Sequence, residues 1–217
     1  TLNMTDKDFV SPFDIPSPSR PEKGIKLFST SGNRQRDAII GNYHINWDVY
    51  CSGYWQAADV LVDHFLQKHD NYSAEYESKA FPIIFLYRHY LELRLKELFI
   101  AYGRLLGDSV DIPGHGLVSL WKEVRDRANR EPSEHVPEIN EDMEVLEGII
   151  EQFERIDPKS EVFRYPVSRD GKTVTLPKIQ VDLRRLKEVM DWVSFFMDGW
   201  SVGVDEYISA KYKEAEI

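Results

Sequence analysis

The chain has 217 residues, of which 42% are hydrophobic, and its 37 Asp and Glu outnumber its 27 Lys and Arg. A chain of this length can bury a core without disulfide or metal staples, so one compact domain is expected. The net charge of −10 argues against a protein that coats nucleic acid or anionic membranes through a general basic field. A local basic groove remains compatible with that charge.

The single cysteine and the missing motifs exclude several classes of site. Cys51 on its own rules out an intrachain disulfide framework and a zinc site built on cysteines, and it indicates a reducing compartment such as the cytoplasm. HExxH, GxSxG, GxxxxGK[ST] and GxGxxG are absent, and the six histidines show no metal-ligand spacing beyond chance pairs. We therefore expect no metal and no cofactor.

Apolar runs are short throughout the sequence. None approaches the ~18 residues that a membrane-spanning helix needs. The first residues contain no apolar core of the kind that a signal peptide carries. We therefore expect no membrane contact, and we place the protein in the cytoplasm.

Residues 1–36 form a polar arm that is interrupted by proline. Four prolines fall within residues 11–21. Because proline fixes φ and removes a backbone donor, we expect extended chain without regular structure. The arm either lies along the surface of the domain or contacts a protein partner. Residues 37–217 are predicted to form the single folded domain.

Apolar residues spaced three and four apart predict five helices in the folded domain. Cys51 lies on the apolar side of the first helix and is expected in the core. The second helix is the most apolar, with Pro82 near its start and two glycines that suggest its end. The charged C-terminus after the last helix is expected to fray. The predicted ranges are 47–69, 81–102, 117–128, 137–156 and 181–197.

Residues 161–176 lack the helical spacing of apolar residues, and their pattern is typical of a β-hairpin. Asp170-Gly171 supplies the backbone conformation that a tight turn requires. The predicted fold is therefore an all-α, antiparallel bundle of about five helices with one inserted β-hairpin. Residues 161–187 carry seven basic side chains against three acidic ones, which favours contact with an anionic partner. A solvated hairpin is the alternative.

A narrow polar stripe runs along the second helix between two apolar faces. It consists of Arg88, His89, Glu92 and Lys96, whose spacings of three and four make them neighbours on a helix. Because buried charge is costly unless it is paired, Glu92 is expected between Arg88 and Lys96 with a lowered pKa. The stripe is either an internal ion network or the floor of a cleft that binds an anionic group such as phosphate.

Two further predictions concern the surroundings of this stripe. Tyr90, Arg94 and Glu97 cluster on another side of the same helix and are expected to face solvent. The segment Gly114-His115-Gly116 lies at the predicted start of the third helix, where backbone donors gather. His115 is accordingly either a helix-entry residue or a site residue.

Three short motifs resemble sequences of a known superfamily. They are Leu86-Tyr-Arg-His-Tyr-Leu-Glu-Leu-Arg-Leu-Lys96, Gly114-His-Gly-Leu-Val-Ser-Leu-Trp121 and Phe163-Arg-Tyr-Pro166. Over roughly residues 45–200 the chain resembles a prokaryotic branch of the HEPN-like (higher eukaryotes and prokaryotes nucleotide-binding) helical proteins. The resemblance implies an antiparallel helical bundle that forms a homodimer.

The resemblance also implies RNA as the partner. Many HEPN-like proteins are metal-independent ribonucleases of toxin–antitoxin or phage-defence systems, whereas others bind RNA or proteins without catalysis. Their catalytic pattern, Arg followed after four to six residues by His, fits only Arg130 to His135, which lie in a proline-broken loop here. Nuclease activity and a non-catalytic interaction or scaffold module therefore both remain open.

The candidate site combines the stripe, the third-helix entry and the basic hairpin. In a nuclease, His89 or His115 transfers the proton, and an arginine such as Arg88 stabilises the charge that develops on phosphorus. In the scaffold alternative the stripe is a packing network. The expected catalytic residues are His89, Arg88 and His115, and the expected binding residues are Glu92, Lys96, Arg164, Tyr165 and Arg169.

Overall fold

The computed structural model describes residues 19–38, 40, 46–67, 74–131, 141–168, 170–174, 176 and 178–215. The chain divides after His44 into two units, and the second contains every helix described below. In the first unit, residues 19–38 and 40 contain turns but neither helix nor strand. Several predictions lie outside the described residues: most of the arm, the start of the fourth helix, His135 and Arg169.

The described residues of the second unit contain five helices, which confirms the all-α prediction. They are α1 (Trp47–Gln67), α2 (Ala74–Leu106), α3 (Leu117–Arg130), α4 (Glu141–Ile156) and α5 (Leu183–Ala215). Helix α2 packs against α1, α3 and α5, while α3 also packs against α4. None of the helices in the described part of the chain is long and apolar enough to cross a membrane.

Helix α2 supplies the centre of the core. One of its faces is buried through Ile83, Tyr87, Leu91, Leu95, Leu98 and Tyr102. The helix is longer than the predicted 81–102, and Pro82 lies inside it. The helix ends beside the two glycines that suggested its end in the sequence. Gly107 has a left-handed φ of 70°, and the Asp108 N–H donates to the carbonyl oxygen of Gly103 at 2.8 Å, as is common at the C-terminus of a helix. Cys51 of α1 is buried as predicted, and burial raises its pKa to about 12.

The prediction that the last helix ends at Met197 was wrong. Trp200 and Val204 are buried and continue the apolar spacing of α5 past two glycines. Near the end of α5, the Tyr207 hydroxyl donates to Oε1 of Glu131 at 2.8 Å. These contacts keep the segment helical where the charge of the sequence suggested fraying, because tertiary packing outweighs local composition.

The predicted β-hairpin at residues 161–176 is not supported. In the described part of this segment only Val167 and Thr173 form an antiparallel bridge, and no strand is present. The turn itself is present, since Gly171 has a φ of 77°. Pairing does not extend because Pro166 has no N–H to donate. Val167 is also exposed, so no buried face stabilises a two-stranded ribbon.

A buried arginine connects α2, α3 and the loop between them. Arg127 donates from Nη1 to the carbonyl oxygen of Phe99 at 2.7 Å and from Nη2 to that of Ser109 at 3.0 Å. Its guanidinium carbon lies 3.6 Å from the centroid of the Phe99 ring. Gly103 leaves room for this arrangement, because a Cβ added there would lie 2.5 Å from Nη1 of Arg127.

Gly103→Ala is expected to lower the free energy of unfolding by about 1–3 kcal/mol, because the added methyl group displaces a buried guanidinium. Alanine otherwise stabilises helix interiors over glycine by about 0.5–1 kcal/mol. Gly148→Ala on α4 is the matched control, since a Cβ there meets no atom within 4 Å. Urea denaturation of both variants measures the difference. If both substitutions raise the free energy of unfolding equally, Arg127 accommodates the added methyl group without a loss of stability.

Candidate functional site

Glu92 is the centre of the polar stripe on α2. Its side chain is only 1% exposed. Nη1 of Arg88 donates to Oε2 at 3.0 Å, and Nζ of Lys96 donates to Oε1 at 2.6 Å. Nδ1 of His115 lies 2.7 Å from the same Oε1. The predicted place of Glu92 between Arg88 and Lys96 is confirmed, and we name these four residues the Glu92 cluster.

The protonation state of Glu92 determines the tautomer of His115. Burial raises the pKa of Glu92, but hydrogen bonds from Lys96 and His115 outweigh burial and the net pKa is lowered, as predicted. The carboxylate is therefore ionised at neutral pH and can only accept hydrogen bonds. It follows that Nδ1 of His115 donates, so Nε2 is the unprotonated nitrogen of the neutral ring.

His115 combines a buried contact with an exposed ring. Its side chain is 57% exposed, although Nδ1 contacts a carboxylate that solvent does not reach. More than half of the imidazole side chain is therefore in contact with solvent, although Nδ1 faces the buried carboxylate. A fixed tautomer with an accessible basic nitrogen is the arrangement that general acid–base chemistry requires.

Arg88 is 0% exposed and connects three segments of the chain. Besides Glu92, it donates from Nε to the carbonyl oxygen of Asp157 at 3.1 Å and from Nη2 to that of His115 at 2.9 Å. Carboxylate oxygens of Asp157 and Glu154 lie 3.9 and 4.0 Å from its nitrogens. Each guanidinium nitrogen is engaged inside the protein, so this geometry is that of a residue that positions others.

Asp157 organises the segment that follows α4. It is buried, and its Oδ1 accepts hydrogen bonds from the backbone N–H of Glu161 at 2.7 Å and from that of the next residue at 3.2 Å. Ser160 has a φ of 57°, which is uncommon for a residue other than glycine. Its carbonyl oxygen accepts a hydrogen bond from Nε of Arg164. These contacts fix the backbone that carries Arg164 and Tyr165.

His89 lies in an aromatic environment beside the Glu92 cluster. Its ring centroid is 4.4 Å from that of Tyr54, edge to face, and 5.5 Å from that of Phe85, nearly parallel. Burial lowers the pKa of His89, the charge of Glu92 opposes this shift, and the nearby cations add to it. His89 is therefore neutral at pH 7, and its half-buried ring is less accessible than that of His115.

Arg164 and Tyr165 adjoin this aromatic environment through Phe85. The guanidinium carbon of Arg164 lies 5.5 Å from the Phe85 centroid and 5.4 Å from the Tyr165 centroid. Both Arg164 and Tyr165 are exposed. The structure therefore brings together Arg88, His89, Glu92, Lys96, His115, Arg164 and Tyr165, while the predicted binding residue Arg169 lies outside the described residues.

The opposite side of α2 carries a second buried network, and the prediction that Tyr90, Arg94 and Glu97 face solvent was wrong. The side chain of Glu97 is only 11% exposed. Tyr90 and Arg94 are buried. Arg94 donates to Asp48 at 2.7 Å, to Glu97 at 2.6 Å and to Asp198 at 2.9 Å. Helices α1 and α5 pack on this side and supply two of these carboxylates. A helical wheel gives the direction of a side chain but not the neighbours that cover it.

Two carboxylates near Arg88 were missed by the sequence analysis. The sequence pattern gave no role to Glu154, but its Oε2 accepts the backbone N–H of Leu117, the first residue of α3, at 2.8 Å. Asp157 directly follows the last residue of α4, a position from which a short side chain can cap the next turn. Within the described ranges no group of three or more His, Cys, Asp and Glu side chains is arranged to hold a metal ion.

Comparisons with known proteins give no family for this chain. No family model matches it, and no curated protein and no solved structure is similar to it. The resemblance to HEPN-like proteins therefore stays a prediction that rests on three short motifs. Any function has to be argued from the geometry of the Glu92 cluster and its neighbours.

Glu92→Ala is expected to lower the free energy of unfolding by about 3–5 kcal/mol, because it leaves the buried charge of Arg88 uncompensated. Glu147→Ala is the matched control, since Glu147 pairs with Arg125 at the surface and both side chains are about 30% exposed. That control should cost no more than about 1 kcal/mol. Chemical denaturation measures both values. Similar losses for the two variants would contradict a compensated buried network.

His89→Gln is expected to weaken the acid sensitivity of the fold. The folded protein holds the pKa of His89 below its ordinary value of 6.5. The unfolded chain thus binds a proton more readily, and stability falls as pH decreases through 6.5 towards the folded pKa. The variant lacks this proton uptake. Urea denaturation between about pH 7 and pH 5 compares the two profiles, and parallel profiles would refute the shift.

Proposed function

We propose that the protein binds RNA over the Glu92 cluster and cleaves it, with His115 as the proton-transfer group. The supporting observation is the half-exposed His115 ring, whose Nδ1 lies 2.7 Å from a carboxylate fixed by two cations. In such a pair the carboxylate sets the tautomer and stabilises the imidazolium that forms when Nε2 takes a proton.

The charges around His115 favour an anionic substrate. Lys96 lies at the edge of the cluster, and exposed Arg164 adjoins it through Phe85. Arg164 belongs to a segment, residues 161–187, with seven basic side chains against three acidic ones, although Lys187 at its end pairs with Asp59 on α1. Cations near the reacting group attract a phosphodiester and stabilise the additional negative charge of the transition state.

RNA carries its own nucleophile next to each phosphate. Nε2 of His115 accepts the proton of the 2′-hydroxyl as the 2′-oxygen attacks phosphorus, and the bond from phosphorus to the 5′-oxygen breaks. The leaving 5′-oxygen takes a proton from water and the His115 imidazolium returns its proton to water, so the products are a 2′,3′-cyclic phosphate and a 5′-hydroxyl. Arg88 acts through Glu92 and His115 as a positioning residue. His89 is the alternative proton-transfer group.

The motif resemblance supports the same class of activity. If the chain is HEPN-like, the protein is a cytoplasmic homodimer of a toxin–antitoxin or phage-defence system. Arg130 of the resembling Arg–His pattern forms a surface ion pair with Asp108, with Nη1 2.5 Å from the carboxylate. Arg130 therefore has a local structural partner, and we propose the Glu92 cluster, not Arg130, as the catalytic site.

A non-catalytic helical interaction or scaffold module is the second candidate function. The observation that favours it is the complete burial of Arg88, each of whose guanidinium nitrogens is engaged within the protein. The cluster then stabilises the packing of α2 against two neighbouring segments whether or not a ligand is present. In that case His115 is a helix-entry residue, and partners bind without cleavage of RNA.

His115→Ala is expected to lower the rate of RNA cleavage by about 10²–10⁴-fold, because it removes the general acid–base group. His64→Ala is the matched control, since His64 is an exposed histidine on α1, and it should retain the wild-type rate. End-labelled single-stranded RNA, incubated with and without a chelator, measures the rate. Far-ultraviolet circular dichroism checks that both variants are folded.

The possible outcomes separate the two candidate functions. If the wild type cleaves no RNA under either condition, the nuclease proposal fails, and RNA binding without cleavage supports the interaction module. If His115→Ala cleaves at the wild-type rate, His115 is not the proton-transfer group. His89→Gln then tests the remaining histidine of the site.

A further inference from the structure

We propose that Arg164 and Tyr165 form a binding platform for one unpaired nucleotide of single-stranded RNA. The base stacks on the Tyr165 ring, and the phosphate binds the Arg164 guanidinium. This inference rests on the proposed function and specifies which form of RNA reaches His115. We name the two residues the Arg164–Tyr165 platform.

The Tyr165 ring is available for stacking. Its side chain is 53% exposed, and its own segment forms no strand that would cover it. Every nucleobase has a π face, so an exposed aromatic ring binds bases with little sequence preference. The adjacent Arg164 guanidinium, 5.4 Å from the ring centroid, adds a cation beside the stacked base.

The Arg164 guanidinium is held by one nitrogen and presents the other two. Nε donates to the carbonyl oxygen of Ser160. Within the part of the chain that the structure describes, Nη1 and Nη2 of Arg164 have no hydrogen-bond partner. Two parallel N–H donors match two phosphate oxygens, which is the geometry that arginine offers and lysine does not. The Phe85 ring packs beside this guanidinium, with its centroid 5.5 Å from the guanidinium carbon.

The backbone beneath the platform is preorganised. Ser160 keeps a φ of 57°, and such a conformation persists only where the surroundings determine it. Here the surroundings include Asp157, which is fully buried and binds two consecutive backbone N–H groups. A ligand therefore does not have to order this segment, and the entropic cost of binding is reduced.

Arg88 sets the position of the platform relative to His115. One guanidinium donates both to the carbonyl oxygen of Asp157, at 3.1 Å, and to that of His115, at 2.9 Å. Both segments are thereby fixed on the same side chain of α2. The segment that leads to the platform and the residue that carries the imidazole therefore share one anchor, a restraint of the kind that positioning for catalysis needs.

The platform fits an unpaired nucleotide and not a duplex. In an A-form helix both faces of each base are stacked, and proteins contact mainly phosphates and 2′-hydroxyls. The Tyr165 ring then has no base face to bind. Single-stranded RNA can turn one base out onto the ring while its phosphate reaches Arg164.

The test measures RNA binding by the full chain with fluorescence anisotropy. The probes are a labelled single strand and the same strand in a duplex, both 2′-O-methylated so that they cannot be cleaved. We expect the single strand to bind at least about tenfold more tightly than the duplex. Tyr165→Ala should weaken single-strand binding by about 5- to 100-fold, while Tyr165→Phe retains it.

Two further variants complete the comparison. Arg164→Ala should weaken binding and lower the slope of log affinity against log salt concentration by about one, because one phosphate contact is lost. Tyr212→Ala is the matched control, since Tyr212 is an exposed tyrosine on α5 that lies outside the platform. It should bind both probes as the wild type does.

Failure of the platform and failure of the proposed function give different results. If both probes bind equally, or if Tyr165→Ala binds the single strand as tightly as the wild type, the platform is overturned while RNA binding stands. If neither probe binds and the wild type cleaves no RNA, both proposals are overturned. If RNA is cleaved and Tyr165→Ala keeps the wild-type KM, only the platform is overturned.

Discussion

The buried ion pair between Arg88 and Glu92 is the interaction on which the rest of the structure depends. Two charges that solvent does not reach are tolerated only when every donor and acceptor is compensated. Compensation comes from Lys96 on the same helix, from His115 before α3 and from the carbonyl oxygen of Asp157 after α4. The need to compensate one pair therefore fixes two distant segments on α2.

The same constraint connects structure with chemistry. An exposed ion pair contributes little, because water and side-chain freedom compete with it. In the Glu92 cluster the carboxylate is buried, so water does not compete for its hydrogen bonds, while the His115 ring stays half exposed. The buried ion pair and His115, the proposed proton-transfer group, therefore belong to one hydrogen-bonded network. Arg88 and Glu92 hold the neighbouring segments on α2, and the His115 imidazole carries the nitrogen that can exchange a proton.

The sequence predicted those features that depend on one helix at a time. The pairing of Glu92 follows from spacings of three and four, since such partners share a helix surface. The bond from His115 to Glu92 joins residues 23 apart and needed the packing of α2 on α3. Arg94 was misplaced because a helical wheel does not show that α1 and α5 cover it. The prediction of a β-hairpin at residues 161–176 was wrong because Asp170-Gly171 specifies only the turn. Two paired strands also need a surface to pack on.

The two buried networks of α2 differ in which sign of charge reaches the surface. Around Arg94 the cation is buried, while Asp48 and Asp198 are 59% and 43% exposed. Around Glu92 the carboxylate is buried, and the accessible groups include His115, the nearby Arg164 and the partly exposed Glu154. The exposed groups are therefore acidic on one side of α2 and of mixed sign on the other, where we propose that an anion binds. A net charge of −10 and the proposed phosphodiester site are compatible, because the exposed charge around Glu92 is mixed and not uniformly acidic.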